Sequence, residues 1–151
     1  LEAHSLLVRY LGDLVEVRKL GVGVETIGVV DGVSSFFNRF DFALMLNNAV
    51  VGYIEVTGDF EKDNVARFLV EKVKKAAALT RPVWFLYNKA AKKSWRVFNV
   101  AFIMRLMNEG RAEVKPWVKN EKPYIHVNYS LGSTLRQFRS YITKLLPFLT
   151  G

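Results

Sequence analysis

Cysteine is absent from the 151 residues, and histidine occurs only as His4 and His126. The first absence excludes a disulfide framework and any thiolate metal site. The second leaves zinc chemistry without its usual ligands. A metal held by this chain would therefore be a hard, oxygen-liganded cation such as Mg²⁺ or Mn²⁺. No apolar run is long enough to span a bilayer, and there is no low-complexity tract or internal repeat. Acids are also scarce: 14 Asp and Glu against 22 Lys and Arg leave a net charge of +8. That balance suits a polyanionic partner, and with no membrane segment in view nucleic acid is favoured. The chain begins at Leu1 without a methionine or a signal-like stretch, so further N-terminal residues are expected to precede it. An intracellular, cytoplasmic protein is the simplest expectation.

What is present is a large hydrophobic fraction, half of all residues, which suits one α/β domain over residues 1–151. Its organising stretch is Phe40 to Thr57, two apolar arms around Asn47-Asn48. Arms apolar on both faces describe strands covered on both sides of a sheet, and the Asn pair is turn chemistry. Asp41 and Glu55 interrupt them. A carboxylate in a central strand costs several kcal/mol unless it is paired or holds a metal. The register decides whether the acids meet. With Leu46-Asn47-Asn48 as a three-residue loop and Asn48 left-handed, Met45 pairs with Ala49 and Asp41 with Tyr53. Asp41, Ala43, Met45, Val51, Tyr53, Glu55 and Thr57 then share one face, with Glu55 diagonal to Asp41 at roughly 7–8 Å. A two-residue Asn47-Asn48 loop would send the acids to opposite faces; the three-residue loop is the expectation.

Leu1 to Leu14 reads as an amphipathic helix, and Val15 to Arg18 and Val24 to Val30 as β-branched strands parted by Gly21 and Gly23. Asp59 to Thr80 reads as the clearest helix, with acids early, Lys74 and Lys75 late, and a stripe of Val65, Phe68, Leu69, Val73, Ala76 and Leu79. Lys72 falls inside that stripe. Pro82 to Tyr87 is a buried-strand pattern, and a strand, helix and strand in succession imply a parallel crossover, hence a mixed sheet. A basic loop, Asn88 to Ser94, precedes a strand at Trp95 to Val100 and a short helix at Ala101 to Asn108, stopped by Gly110. Ala112 to Val118 and Tyr124 to Tyr129 form a second hairpin, joined by Lys119 to Lys122. Ser133 then caps a final helix with Leu135, Phe138, Ile142, Leu145 and Leu146 on one side.

Asp41 on one arm of a hairpin and Glu55-Val56-Thr57 on the other, with a helix before and a helix and strand after, resemble the PD-(D/E)xK nuclease superfamily. This group includes restriction endonucleases and archaeal Holliday-junction resolvases. The resemblance covers Leu1 to about Tyr87 and implies a restriction-endonuclease-like mixed β-sheet core flanked by helices, over about residues 1–100. The C-terminal hairpin and helix, about 111–149, would be an addition. It further implies that Asp41, Glu55 and the Val56 carbonyl bind Mg²⁺ or Mn²⁺, with Thr57 in the place of the superfamily's lysine. Members of the group move that lysine onto the following helix, which makes Lys72 the candidate and Lys62 the second choice. Phe40 stands where the motif has proline.

The chemistry requires these residue types together. Phosphodiester hydrolysis needs a nucleophile at neutral pH and neutralisation of charge on the phosphate; a carboxylate-held cation serves both needs, and an ammonium adds to the second. The expectation is a metal-dependent DNA endonuclease, active as a homodimer because two-fold pairing suits an enzyme that cuts two strands. Lys89, Lys92, Lys93 and Arg96, with Lys115, Lys119 and Lys122, form the expected phosphate-binding surface. Trp95 and Trp117 could stack on bases, with core packing as the plainer role. Glu2, Glu61 and Asp59 read as solvated or helix-start charges, and neither histidine has a recognisable catalytic partner. The rival reading is a nucleic-acid-binding protein that kept the fold and lost the chemistry, with Thr57 as its best argument. An interaction protein whose basic charge serves assembly is the third.

Overall fold

The computed structural model describes residues 2–20, 29–30, 33–34, 40–117 and 120–150. The predicted strand residues 24–28 and Lys119 lie outside them. The elements are α1 (Glu2–Leu11), β1 (Glu16–Lys19), β2 (Val29–Val30), β3 (Val33–Ser34), β4 (Phe42–Leu46), β5 (Ala49–Asp59), β6 (Val65–Leu69) and α2 (Val70–Ala77). They continue with β7 (Val83–Lys89), β8 (Ser94–Asn99), α3 (Val100–Asn108), β9 (Glu113–Trp117), β10 (Asn120–Asn128) and α4 (Leu135–Thr150).

The main sheet has five strands in the order β1-β4-β5-β7-β8. Only β5 and β7 run parallel, so the sheet is mixed as predicted. The apolar arms are central strands: Phe42, Ala43, Leu44, Met45, Val51, Tyr53 and Ile54 are all buried. One face packs on α1 and α4 through Leu7, Leu11, Phe138 and Ile142. The other packs on Phe68 and Ala66 of β6, on Val73 and Ala76 of α2, on Ile103 and Leu106 of α3 and on Ile125 and Val127 of β10. This is the restriction-endonuclease-like architecture, a mixed sheet core flanked by helices.

Two predicted elements are corrected. The helix expected over Asp59 to Thr80 is α2 alone; the chain first finishes β5 at Asp59 and then forms β6. The stripe from Val65 to Leu69 also alternates, with Ala66 and Phe68 buried, and β10 offers that segment an antiparallel partner (Phe68 opposite Ile125). Pairing with a neighbouring strand overrides the local helical pattern. The C-terminal hairpin is thus two-thirds of a second sheet, β6-β10-β9. Thr134, rather than Ser133, caps α4: its Oγ1 accepts from the Gln137 amide at 3.1 Å, and the Gln137 side chain accepts from the Thr134 amide at 2.8 Å. Ser133 is occupied elsewhere, exchanging two 2.8 Å main-chain bonds with Val97.

Candidate active site

The hairpin turn is not the one predicted. Leu46 pairs with Ala49, leaving the two-residue turn Asn47-Asn48, with φ of 52° and 65°. These left-handed values define the type I′ geometry that asparagine tolerates. Such a turn should have parted the acids, but a β-bulge intervenes. Met45 pairs with Val50 and Leu44 with Gly52, so Val51 has no partner and every later residue of β5 slips by one. Ala43 therefore faces Tyr53, an even shift of two from the predicted register, and side-chain parity is preserved. Glu55 moves two positions nearer to Asp41. Val51 itself is turned to the α1 and α4 side, away from the acids' face to which it had been assigned.

Asp41 is stitched to β5 on both sides of Glu55. Its amide donates to the Ile54 carbonyl at 3.1 Å, and its Oδ2 accepts from the Val56 amide at 2.7 Å. The two carboxyls are close enough for the Asp41 charge to act on Glu55. Burial first, and the Asp41 charge second, push Glu55 up to about 7 against the opposing pull of Lys72. Lys72 Nζ donates to Glu55 Oε2 at 3.1 Å. The lysine side chain is 58% exposed while that of Glu55 is 15% exposed. Lys72 therefore lies beside the buried stripe of α2, contrary to its predicted place within it, and reaches the acid from the solvent side. Lys62 stays exposed on the β5–β6 connection.

The predicted nucleic-acid surface is smaller than expected. Lys92 and Lys93 are exposed on a 3-10 turn, with Lys93 left-handed. Arg96 is half-buried; it donates to the Gly132 carbonyl at 2.6 Å and its guanidinium lies 5.6 Å from the Tyr129 ring centre. Lys89 is fully buried and is removed from that surface. Its Nζ donates to Asp59 Oδ1 at 2.9 Å, to Asp63 Oδ1 at 2.7 Å and to the Val65 carbonyl at 2.7 Å. The reason is strand parity: Phe85, Tyr87 and Lys89 alternate onto the inner face of β7, where only an anionic partner makes a buried ammonium tolerable.

Asp59, expected as a helix-start charge, is that partner, at the end of β5 opposite Lys89. It also accepts a short hydrogen bond from the Tyr87 hydroxyl. Burial, then this bond, push the phenol far up. Asp63 completes the cluster with Arg67 at 2.6 Å, and hydrogen bonding to Arg67 and then to Lys89 holds its carboxyl well below the usual range. Two anions and two cations are thus tied into one neutral knot joining β5, β6 and β7. Reading the alternation of β7 two residues further, through Tyr87 to Lys89, was the one signal in the sequence.

The remaining candidates have structural roles. His4 stacks on Phe42 at 5.6 Å, and His126 Nε2 is 3.2 Å from the Lys115 carbonyl. Glu2 is exposed on α1, Glu61 is exposed after β5, and Trp95 packs against the core on the α1 and α4 side. Lys115 and Lys122 are exposed and pair with Glu113 and Glu71. Trp117 and Tyr124 line a cleft of about 140 Å³ with Thr57, Arg67 and Lys72, immediately beside the acids.

Among the described residues no cluster of three or more His, Cys, Asp or Glu is grouped as a metal site, so the pair would need main-chain oxygen to complete a donor set. The pair still fits a hard divalent cation: both donors are carboxylates, and Glu55 is held near 7 by burial first and by repulsion from Asp41 second.

No protein-family model matches the chain, and no curated protein matches it. Among solved structures it is similar to a nuclease from a fusselovirus, at 15% identity and a TM-score of 0.61, over 96% of this chain and 86% of that one. Hjc, a Holliday junction resolvase from the archaeal hyperthermophile Archaeoglobus fulgidus, aligns at 15% identity and a TM-score of 0.48, over 91% of this chain and 92% of that one. The first likeness shows the fold, and it is the fold that the PD-(D/E)xK resemblance implied.

Proposed function

We propose that this chain, built on the restriction-endonuclease-like fold, is a Mg²⁺- or Mn²⁺-dependent endonuclease that hydrolyses DNA phosphodiester bonds. The observation that carries the reading is the neighbouring acids Asp41, bonded to the Val56 amide, and Glu55 at the mouth of the hairpin, with Lys72 Nζ 3.1 Å from Glu55. Asp41, Glu55 and the Val56 carbonyl would hold the cation, which when bound supplies a lowered pKa to its water and neutralises charge on the phosphate. The chain's own residues do the rest. Asp41, bonded to the Val56 amide, fixes the peptide next to Glu55 and so the direction of the acids. Lys72, exposed yet tethered, is free to exchange Glu55 for a phosphate oxygen and to stabilise the charge that develops there. Lys92 and Lys93 hold the DNA backbone, joined by a net charge of +8.

The protein would act inside the cell as a homodimer, which the exposed Tyr141, Phe148 and Leu149 along α4 support. Thr57 in the lysine's place favours one alternative, an inactive binder of the same fold.

Labelled duplex and four-way-junction DNA, incubated with and without Mg²⁺, tests the reading. Cleavage only with the ion is expected, with Asp41→Ala losing both Mn²⁺ binding and cleavage. Lys72→Ala should keep Mn²⁺ binding and slow cleavage about 10²-fold or more, the scale of one lost electrostatic donor. DNA binding without cleavage by any form would establish the alternative.

A further inference from the structure

The cleft beside the acids has a chemistry of its own. Thr57 lies two residues beyond Glu55 on the same face of β5, and Lys72 lines the cleft while its Nζ contacts Glu55. Acids and cleft therefore share a wall. The opposite wall is aromatic: Trp117 and Tyr124 meet edge to face at 5.4 Å and 79°. The Arg67 guanidinium lies 5.3 Å from the Trp117 ring centre and is braced by Asp63 at 2.6 Å and Asp59 at 3.5 Å. The neutral knot around Lys89 thus sets the position of a stacked arginine. Among the described residues Arg67 Nε is buried without a hydrogen-bond partner, an uncommon condition for a donor.

We infer that this cleft receives one unpaired base of the DNA strand beside the scissile phosphate, which makes the substrate a flap or overhang rather than continuous duplex. The inference deepens the nuclease reading and rests on it for what lies next door. At about 140 Å³ the cleft is smaller than the roughly 300 Å³ at which pockets enclose whole drug-sized ligands, and suits a single flat ring. Bases within a duplex are covered by their neighbours, so only an unpaired base can offer its face to Trp117 or Tyr124.

Binding measured by fluorescence anisotropy in chelator separates this inference from the nuclease reading, because no cleavage is required. Wild type is expected to bind a duplex with a single-stranded flap more tightly than the fully paired duplex. Trp117→Leu should weaken flap binding about tenfold, the scale of one lost base stack, and leave duplex affinity unchanged; Trp117→Phe should keep most of the preference. Equal affinity of wild type for both DNAs, an equal loss on both in Trp117→Leu, or a Phe variant no better than Leu would overturn the inference. A fluorescent purine analogue at the first unpaired position gives a readout on wild type that needs no folded variant: quenching on binding is expected, and its absence counts against the inference. A protein that shows the preference but never cuts would overturn only the nuclease reading.

Discussion

The burial of Glu55 beside Asp41 is the feature of single residues with the widest consequences. Glu55 is raised from an ordinary 4.5 to about 7, so the native state favours its neutral form. The associated stability is fully present below 4.5 and is lost as pH rises through 7, because the unfolded chain ionises first. In chelator, urea unfolding from pH 4.5 to 7.5 should show a loss of roughly 3 kcal/mol, the free energy equivalent of that shift. Glu55→Gln should flatten the slope. Mn²⁺ affinity should run the other way, tightening as pH rises towards 7 with release of a proton, since a cation takes the ionised pair. Lys89 offers the complementary test. Lys89→Ala leaves Asp59 buried with less compensation, and a loss of about 3–5 kcal/mol in urea unfolding is expected. An exposed lysine of the basic loop would have cost almost nothing, so the same measurement decides between the two placements.

Elements show where local pattern and long-range pairing disagree. The β4–β5 hairpin combines a two-residue turn with a bulge, and each alone would have changed the face on which Glu55 lies. The bulge sits where β5 must approach β7: a Cβ on Gly52 would come within 2.5 Å of the Trp84 ring and 2.8 Å of the Pro82 carbonyl. The turn is held by asparagines, and Asn48→Val, which puts a β-branched residue at φ 65°, should cost about 1–2 kcal/mol in thermal or urea unfolding. In the same way β6 is a strand because β10 lies next to it, although Val65, Phe68 and Leu69 fit a helix as well. The consequence reaches function: the strand returns the chain from Asp59 towards Glu55, and α2 begins close enough for its third residue, Lys72, to touch the acid.

Across the whole molecule, two helices cover one sheet face, and two helices with a second sheet cover the other. The acids and the aromatic cleft open on the side of the second sheet. The last turns of α4 leave Phe148 84% exposed and Leu149 47% exposed. A patch of that kind in an otherwise charged surface suits a second copy of the chain. Sedimentation is expected to show a dimer for wild type and a monomer for Phe148→Glu, with the same Mn²⁺ affinity for both. Among the described residues no helix is long and apolar enough to cross a membrane.

Much was determined by the order of the amino acids alone. The absence of cysteine and the shortage of histidine confined any metal to oxygen ligands, and continuous apolar runs identified β4, β5 and β7 as central strands. Two carboxylates read as lying in such strands marked the candidate site before any contact was known, because burial of unpaired charge is costly; Glu55 is largely buried in β5, whereas Asp41 is exposed immediately before β4. Tertiary structure decided what periodicity leaves open. Whether Asp41 and Glu55 share a face depended on one extra residue at Val51, set by the approach of β5 to Trp84. Whether residues 65–69 are strand or helix depended on β10. Whether Lys89 binds phosphate or a buried aspartate depended on β5 ending at Asp59, directly opposite. Each of these is a contact between residues distant in sequence, and local spacing carries no information about a partner that only folding brings near.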